Sequence, residues 1–450
     1  MFEKILIANR GEIAARIIRT CRKLGVQTVA VYSEADKDGA FVRMADESYL
    51  LGPAKVSESY MNSTKILTIA RESKVDAIHP GYGFLSENAS FAKKCEQEGL
   101  TFIGPSWQAI ESMGSKIKAR KMMENAGIPV IPGSNTPLTT AEDAALAADR
   151  IGYPVMLKAS AGGGGIGMAE VYNEQELKKV FSSNSKRASL LFGDGTMFIE
   201  KKIVNARHIE IQLLADSHGN AVHLFDRECS IQRRHQKIIE EAPSPFISES
   251  TRQRMGRAAV KAAETINYQN AGTIEFLVDH KENFYFLEMN TRLQVEHPVT
   301  EEITGIDIVE QQLKIANGER IEYDQESLFI TGHSIEARIY AEDPVSFYPS
   351  PGQITRWELP EGIGIRHETA IEKNSKVTPF YDPMLAKLVV SGSSRSEAIQ
   401  LLNDALEDYR VEGIKTNIPM LKKVINHEKF IEGTTLTSFI EDHYLPMLSK

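Results

Sequence analysis

KILIANRGEIAARIIRTCRKLGVQTVAVY, residues 4–32, changes its periodicity twice, and those changes decide the fold. Lys4 leads into an unbroken apolar run through Ala8, the pattern of a buried strand. From Gly11 to Leu24 the apolar side chains Ile13, Ile17, Ile18 and Cys21 recur at helical spacing, and Gly25 stops the helix. Thr28–Tyr32 is apolar again. Strand, helix, strand is the opening of a parallel, doubly wound sheet. The pattern recurs through Lys65–Ser73, Ala77–His79 and Phe91–Gly99, then Thr101–Gly104. The turn after the first strand, Asn9-Arg10-Gly11-Glu12, is not GxGxxG, so a nicotinamide or flavin site has no support.

Beyond the Ala77–His79 strand runs His-Pro-Gly-Tyr-Gly-Phe-Leu-Ser-Glu, residues 79–87. Such sheets bind ligands past the carboxyl ends of their strands, but the glycines and Pro80 make a plain turn equally well. A helix expected from Ser115 to about Asn125, closed by Gly127 and Pro129, opens a second unit. From Tyr153 onward the segments read as strands separated by glycine turns. Past about Gly332, alternation returns in Ser334–Tyr340 and Met384–Val390, with a helix across Ser396–Tyr409, and these form a third unit. The expected boundaries are 1–114, 115–330 and 331–446.

The chain has 450 residues, 42% hydrophobic and 25% charged, which suits a globular protein of two or three domains. No apolar run reaches the roughly 18 residues of a membrane helix. The start of the chain is a poor secretion signal, so a cytoplasmic location is expected. A net charge of −9 argues against a nucleic-acid partner, though a phosphate site needs only a local cluster of donors. Cys21, Cys95 and Cys229 are far apart and form neither a CxxC pair nor a zinc spacing. They read as reduced, structural thiols, of which Cys229 alone sits in a stretch polar enough to line a cleft.

Four stretches carry the chemistry. In residues 154–168 a strand ending in Lys158 runs into four consecutive glycines, Gly162 to Gly165, with Gly167 beyond. Glycines let backbone N–H groups approach phosphate oxygens closely. No Gly-Lys-Ser/Thr follows and Ala169–Tyr172 reads as a strand, so the run is a hairpin over a nucleotide rather than a Walker A loop. Next, Thr273–Val278 and Phe284–Asn290 read as strands joined by a polar turn, which puts Glu275 about opposite Glu288, with Asn290 pointing the same way as Glu288. Facing carboxylates need a counter-charge, and two carboxylates with an amide oxygen suit magnesium. Then Arg292, Gln294 and Glu296 alternate, so in an extended segment they project to one side. An arginine fork holds a planar oxyanion, and a nearby carboxylate acts as base toward its hydroxyl. Spacing alone reads Arg292 and Glu296 equally well as a surface ion pair. Finally, Gln232-Arg233-Arg234-His235-Gln236-Lys237, with His208 before it and Glu240-Glu241 after, reads as a polyanion cleft or as a solvated charge run.

Together these residues resemble the biotin carboxylase family of ATP-grasp ligases. The resemblance rests on Ile-Ala-Asn-Arg-Gly-Glu-Ile-Ala at the start, on residues 79–88, and above all on Glu-Met-Asn-Thr-Arg-Leu-Gln-Val-Glu-His-Pro-Val-Thr-Glu at 288–301. It covers essentially the whole chain. It implies an N-terminal Rossmann-like α/β domain, an ATP-grasp domain with a glycine-rich lid (roughly 131–203), and a C-terminal mixed α+β domain. It implies ATP and bicarbonate as substrates, Mg2+ (or Mn2+) as the metal, and biotin supplied on a biotin carboxyl carrier protein. Lys116, Lys158, Gly163, Gly164, Gly165 and His208 then belong to the phosphate side, Gln232 and His235 lie near ribose and phosphates, and Glu200, Lys201 and Ile203 match the adenine hinge. Glu275, Glu288 and Asn290 hold magnesium. Arg292, Gln294, Val295 and Lys237 hold bicarbonate with Glu296 as base, Arg338 stabilises the biotin enolate, and Tyr82 and Glu87 lie on the biotin side. A carboxyltransferase subunit, with the acyl acceptor, comes from another polypeptide, because no Ala-Met-Lys-Met biotinylation site and no room for that domain are present; a homodimer is expected.

Two departures from the family pattern stand out. Ile166-Gly167-Met168-Ala169 replaces a run that usually carries two cations, and Ser115 replaces an aspartate. Two other readings compete: another ATP-grasp ligase working through an acyl phosphate, and a nucleotide-binding regulatory subunit with weakened catalysis.

Overall fold

The computed structural model describes residues 1–134, 136–160 and 168–448. Strands β1 (Lys4–Ile7), β2 (Gln27–Ser33), β3 (Glu47–Gly52), β4 (Ala77–His79) and β5 (Thr101–Phe102) form a parallel sheet in the order β3-β2-β1-β4-β5. The reversal of direction at β1 is the doubly wound arrangement expected from residues 4–32. Helix Gly11–Leu24 buries Ile13, Ile17, Ile18 and Cys21 against this sheet and ends where Gly25 adopts a left-handed φ of 73°.

A three-stranded piece follows, with β6 (Val155–Ala159) between β7 (Ala169–Val171) and β8 (Met197–Lys201). The glycine run, including Gly163, Gly164 and Gly165, lies outside the described residues; the strands on either side of it, β6 and β7, pair antiparallel. Reading everything from Tyr153 onward as strands fails at four places: His297–Thr304 and Ile308–Ala316 are helices, and so, earlier, are Glu174–Phe192 and Glu249–Thr265. Their signals are local. Asn173 and Ser248 cap them by accepting from Glu176 N and Thr251 N, and Leu177, Phe181 and Ala188 are buried at helical spacing.

The largest sheet draws its strands from residues 207–392. Its strands are β9 (Arg207–Ala215), β10 (Ala221–Arg233), β11 (Gln236–Ala242), β12 (Asn270–Val278), β13 (Phe284–Asn290) and β14 (His333–Tyr340). Farther on, β15 (Gly352–Gln353) pairs with β18 (Lys376–Val377), and β16 (Arg356–Glu358) with β20 (Arg410–Glu412). Between these in sequence lie β17 (Ile365–Thr369) and β19 (Met384–Gly392), which complete the large sheet as β13-β12-β9-β10-β11-β14-β19-β17. The third unit read from the sequence therefore shares one continuous sheet with the second. β11 and β14 join across position 331 by backbone pairing, with Ile239 opposite Ala337.

Period-2 alternation gives this sheet two unlike faces. Ile209, Ile211 and Leu213 of β9 and Ile274, Phe276 and Val278 of β12 pack in one core with Met255 and Ala259 of the helix behind. His208, Glu210 and Gln212, and likewise Thr273 and Glu275, point the other way, yet they too are buried. A buried polar face is costly unless it is paired, so it marks where function sits.

Two predictions arise here. Gly332 has φ +69°, and an added Cβ would fall on the Gly392 carbonyl oxygen. Gly332→Ala is expected to destabilise by more than about 1 kcal/mol, read as a lower urea midpoint. Glu241 on β11 accepts from Arg395 Nε at 2.7 Å and lies 2.7 Å from His333 Nε2. Burial pushes its carboxyl up, but His333 and Arg395 more than offset this and hold it below the usual range. A depressed folded value means that its stabilisation is complete above the unfolded value of about 4.3 and is lost as pH falls through the folded one. Glu241→Gln should therefore lower stability at neutral pH and flatten the acid limb of a stability–pH curve.

Candidate active site

The polar face of the large sheet floors a cleft of ≈ 1060 Å³ between the N-terminal sheet, the β6–β8 piece and the C-terminal region. Its centre is a ladder of four charged side chains, one from each of four adjacent strands. Arg227 on β10 lies opposite Glu210 on β9, Glu210 opposite Glu275 on β12, and Glu275 opposite Glu288 on β13. The expected pairing of Glu275 with Glu288 is thus present, with a register shift immediately after it. Three neighbouring carboxylates repel one another, so the question is what balances them.

Arg227, fully buried, supplies one end. Its guanidinium donates to Glu210 at 2.5 Å, to Gln212 and Thr300 at 2.8 and 2.9 Å, and to Thr273 at 3.2 Å. Lys237 supplies the middle. Its ammonium lies 2.5 Å from Glu210, 2.8 Å from Glu275 and 2.6 Å from Glu296. His208 Nε2, Glu210 and Glu275 stand close enough together to ligate a metal, but Lys237 already puts a cation between the two carboxylates. The far end has no such partner: Glu288 has no hydrogen bond or ion pair among the described residues. Burial first, and the facing Glu275 second, push its carboxyl up. Glu288 facing Glu275, with Asn290 beside them donating from Nδ2 to Glu275 at 2.8 Å, offers carboxylate and amide oxygens that fit magnesium once Asn290 Oδ1 exchanges its contact with Arg292.

Residues 290–297 turn the chain from β13 into helix His297–Thr304. The segment is not extended as far as Glu296, since Val295 and Glu296 form a turn at the helix start, but Arg292, Gln294, Val295 and Glu296 all line the cleft. The Arg292–Glu296 surface pair does not form. Arg292 donates instead to Glu87 at 2.9 Å, to Asn290 at 2.9 Å and to Gln294. Glu296, 1% exposed, sits 2.6 Å from Lys237 and 3.0 Å from Arg338. Burial alone would push its carboxyl up; Lys237 and Arg338 outweigh it and hold it well below the usual carboxylate range.

The solvated-run reading of residues 232–237 holds only for Arg234, His235 and Gln236, which are exposed; Gln232 is buried and Lys237 half-buried. Gln232, Arg234, His235, Gln236 and Lys237 line the cleft, and Arg234 and His235 form a tight β10–β11 turn with φ of 52° and 63°. Left-handed backbone at two consecutive non-glycine residues is strain that such a turn places at a working site. Gln232 Nε2 donates to His208 Nδ1 at 2.9 Å, which aims His208 Nε2 at Glu275, 3.1 Å away. At the far end of the cleft Lys158 pairs with Glu200, and Lys116, Lys201 and Ile203 complete the wall. The Lys201 ammonium is held by the Gly152 and Tyr153 carbonyls at 2.8 and 2.9 Å, so that residue has its backbone to offer the cleft. On the N-terminal side lie Glu87 and Tyr82, the latter donating to Glu12. Cys229 does not line the cleft; it is fully buried, and burial pushes its thiol well above the usual value.

Glu210, Arg227 and Lys387, which set the charges around the cleft, were not legible from the sequence. Each sits in an ordinary strand, and only the period-2 placement of a charge on an otherwise apolar strand hinted at them.

Residues 1–110 match the biotin carboxylase N-terminal domain, residues 115–323 the carbamoyl-phosphate synthase L chain ATP-binding domain, and residues 336–442 the biotin carboxylase C-terminal domain. Over 443 residues the chain is 62% identical to a biotin carboxylase of Halalkalibacterium halodurans, covering 98% of each. The chain belongs to the biotin carboxylase family. It is accordingly an ATP-dependent ligase, and its three-part architecture is that of biotin carboxylases. Its structure matches the Campylobacter jejuni biotin carboxylase–β-γ-ATP complex with a TM-score of 0.96 at 48% identity, covering 98% of this chain and 99% of that one. It matches equally, at TM-score 0.96 and 48% identity, the biotin carboxylase domain dimer of Hydrogenobacter thermophilus 2-oxoglutarate carboxylase in complex with MgADP, ADP and bicarbonate, covering 100% of this chain and 99% of that one. Among the described residues no helix is long and apolar enough to cross a membrane.

Proposed function

We propose that this biotin carboxylase forms carboxyphosphate from ATP and bicarbonate in the cleft and passes its carboxyl group to biotin on a carrier protein. The observation that carries the residue assignment is Glu296, buried between Lys237 and Arg338, with Arg292 lining the same cleft. Magnesium bound by Glu275, Glu288 and Asn290 would offset charge on the ATP phosphates. Arg292 and Lys237, with Gln294 and the Val295 backbone, hold bicarbonate so that its hydroxyl faces Glu296.

Glu296 takes the bicarbonate proton as a bicarbonate oxygen attacks the γ-phosphorus, and ADP leaves. Lys116 and Lys158 offset charge on the transferred group, which requires Lys158 to exchange its contact with Glu200 for one with phosphate. Carboxyphosphate breaks down to carbon dioxide and phosphate, and the phosphate accepts the proton of biotin's ureido nitrogen. Arg338 stabilises the resulting enolate on its ureido oxygen, and the nitrogen attacks carbon dioxide to give N-carboxybiotin. Glu200, Lys201 and Ile203 hold adenine, His208, Gln232 and His235 border ribose and phosphates, and Tyr82 and Glu87 border biotin.

This chain works with a biotin carrier and a carboxyltransferase of an acyl-CoA carboxylase, in a carboxylase complex and as a homodimer. ADP release with magnesium-ATP tests the reading. Turnover is expected to require bicarbonate and to rise with free biotin; turnover indifferent to both would move the protein to another ATP-grasp chemistry.

A further inference from the structure

On the cleft face of the large sheet, β11 and β14 set Glu240 directly opposite Glu336. Paired residues of an antiparallel ladder send their side chains to one face, with Cβ atoms about 5 Å apart. Both are 0% exposed, and none of the four carboxylate oxygens has a hydrogen-bond partner among the described residues. Two bare anions side by side in the interior would carry a heavy desolvation cost.

The surrounding charges do not supply that pair with a cation each. Arg338, two residues along β14 from Glu336, forms ion pairs with both Glu240 and Glu296, the first without the alignment of a hydrogen bond. Lys387, opposite Arg338 on β19, donates to the Val295 carbonyl at 2.8 Å and lies 3.4 Å from Glu12. Lys237 is taken up by Glu210, Glu275 and Glu296. Helix His297–Thr304, packed over this face, presents the apolar Val299 and Ile303. Its His297 donates from Nδ1 to the Gln294 carbonyl at 2.7 Å, and its Glu301 is paired with Arg16 and Arg366. On β17, Glu368 faces Lys387 and is paired with Arg366 at 2.7 Å. Glu12, Glu240, Glu296 and Glu336 thus share Arg338 and Lys387, with a third cation committed mainly elsewhere.

We propose that Glu240 and Glu336 hold one proton between them at neutral pH, and that this proton lets Arg338, while touching Glu240, also serve Glu296 and the ureido oxygen of biotin. An acid–carboxylate pair satisfies its own donor and acceptor, so it needs only one counter-charge. Were both carboxyls ionised, the guanidinium would be drawn onto them and away from the cleft. Burial supports the assignment by pushing both groups up, Glu240 to about 7. The pair is a positioning device, and its functional half rests on the enolate role given to Arg338 above.

The test is infrared spectroscopy of the full chain alongside turnover. At neutral pH the parent is expected to show a buried carboxylic-acid carbonyl band that Glu336→Gln lacks and that the parent loses on alkaline titration. No such band in the parent overturns the shared proton whether or not the variant folds; a band that Glu240→Gln and Glu336→Gln both leave in place overturns it too, since burial also pushes up Glu228 and Glu288. In the parent, biotin-stimulated ADP release is expected to fall on the alkaline side by about tenfold per pH unit, the slope of one proton. Glu336→Gln is expected to keep turnover at neutral pH and to lose that limb; the same limb in both proteins overturns the positioning role. Arg338→Met separates the two readings. Biotin stimulation that survives it refutes the enolate role, while the infrared result still decides the proton.

Discussion

Glu296→Ala is expected to lower bicarbonate-dependent ADP release by about 10²–10⁴-fold, the range for loss of a positioned general base. The carboxylate is anionic at any working pH, because Lys237 at 2.6 Å and Arg338 at 3.0 Å outweigh its burial. So strongly held a carboxylate is a weak base. Under the proposed assignment, proton transfer from bicarbonate is feasible because Lys237, one of the cations that depress Glu296, would also stabilise the carbonate dianion as it forms, with Arg292 assisting. The same geometry gives the substitution a structural cost, since it leaves two buried cations with one carboxylate fewer, worth roughly 3–5 kcal/mol in comparable cases. Glu296→Gln separates the effects by keeping the shape and a hydrogen-bonding group. Full loss of turnover with an unchanged urea midpoint assigns the base; a loss of less than about threefold would remove Glu296 from the chemistry.

Arg227→Met carries the largest expected effect on stability, about 3–5 kcal/mol. Arg227 is 0% exposed and donates four hydrogen bonds, so its removal strands Glu210 beside Glu275 with Lys237 as their shared cation. Breaking one partner of a buried pair costs more than replacing both with neutral groups. The double variant Arg227→Met with Glu210→Gln should therefore recover a large part of the lost stability in a urea titration. If it recovers none, Arg227 acts by packing rather than by charge. Turnover should fall in the single variant even where it remains folded, because Glu210 is one of three anchors of Lys237, which in turn sets Glu296.

The sequence carried the site unevenly, and particular residues show why. Glu275 could be placed opposite Glu288 because a short turn joins their strands, so counting back from the turn yields the register. Arg292 to Glu296 could be placed together because they are consecutive. Glu210 could not be seen beside Glu275, because the two are 65 positions apart (275 − 210) and nothing local specifies how β9 and β12 align. Helix Glu174–Phe192 was missed for another reason: its apolar positions are sparse, and the strands around it dominated the reading.

What the sequence determined by itself is whatever depends on near neighbours. That covers the strand–helix alternation of residues 4–32, the helix capped by Ser115, the β12–β13 hairpin, and the motif at 288–301 that assigns the family. Tertiary structure alone decided that β14, β17 and β19 extend the central sheet, that Arg227, Glu210, Glu275 and Glu288 form one ladder, and that Glu240 faces Glu336. Side-chain periodicity says which face of a strand is buried, but not which distant strand lies alongside or in what register. That pairing is set by the packing of the whole core, and it is the pairing that brings Glu210 of β9 and Glu275 of β12 to one ammonium, Lys237 of β11.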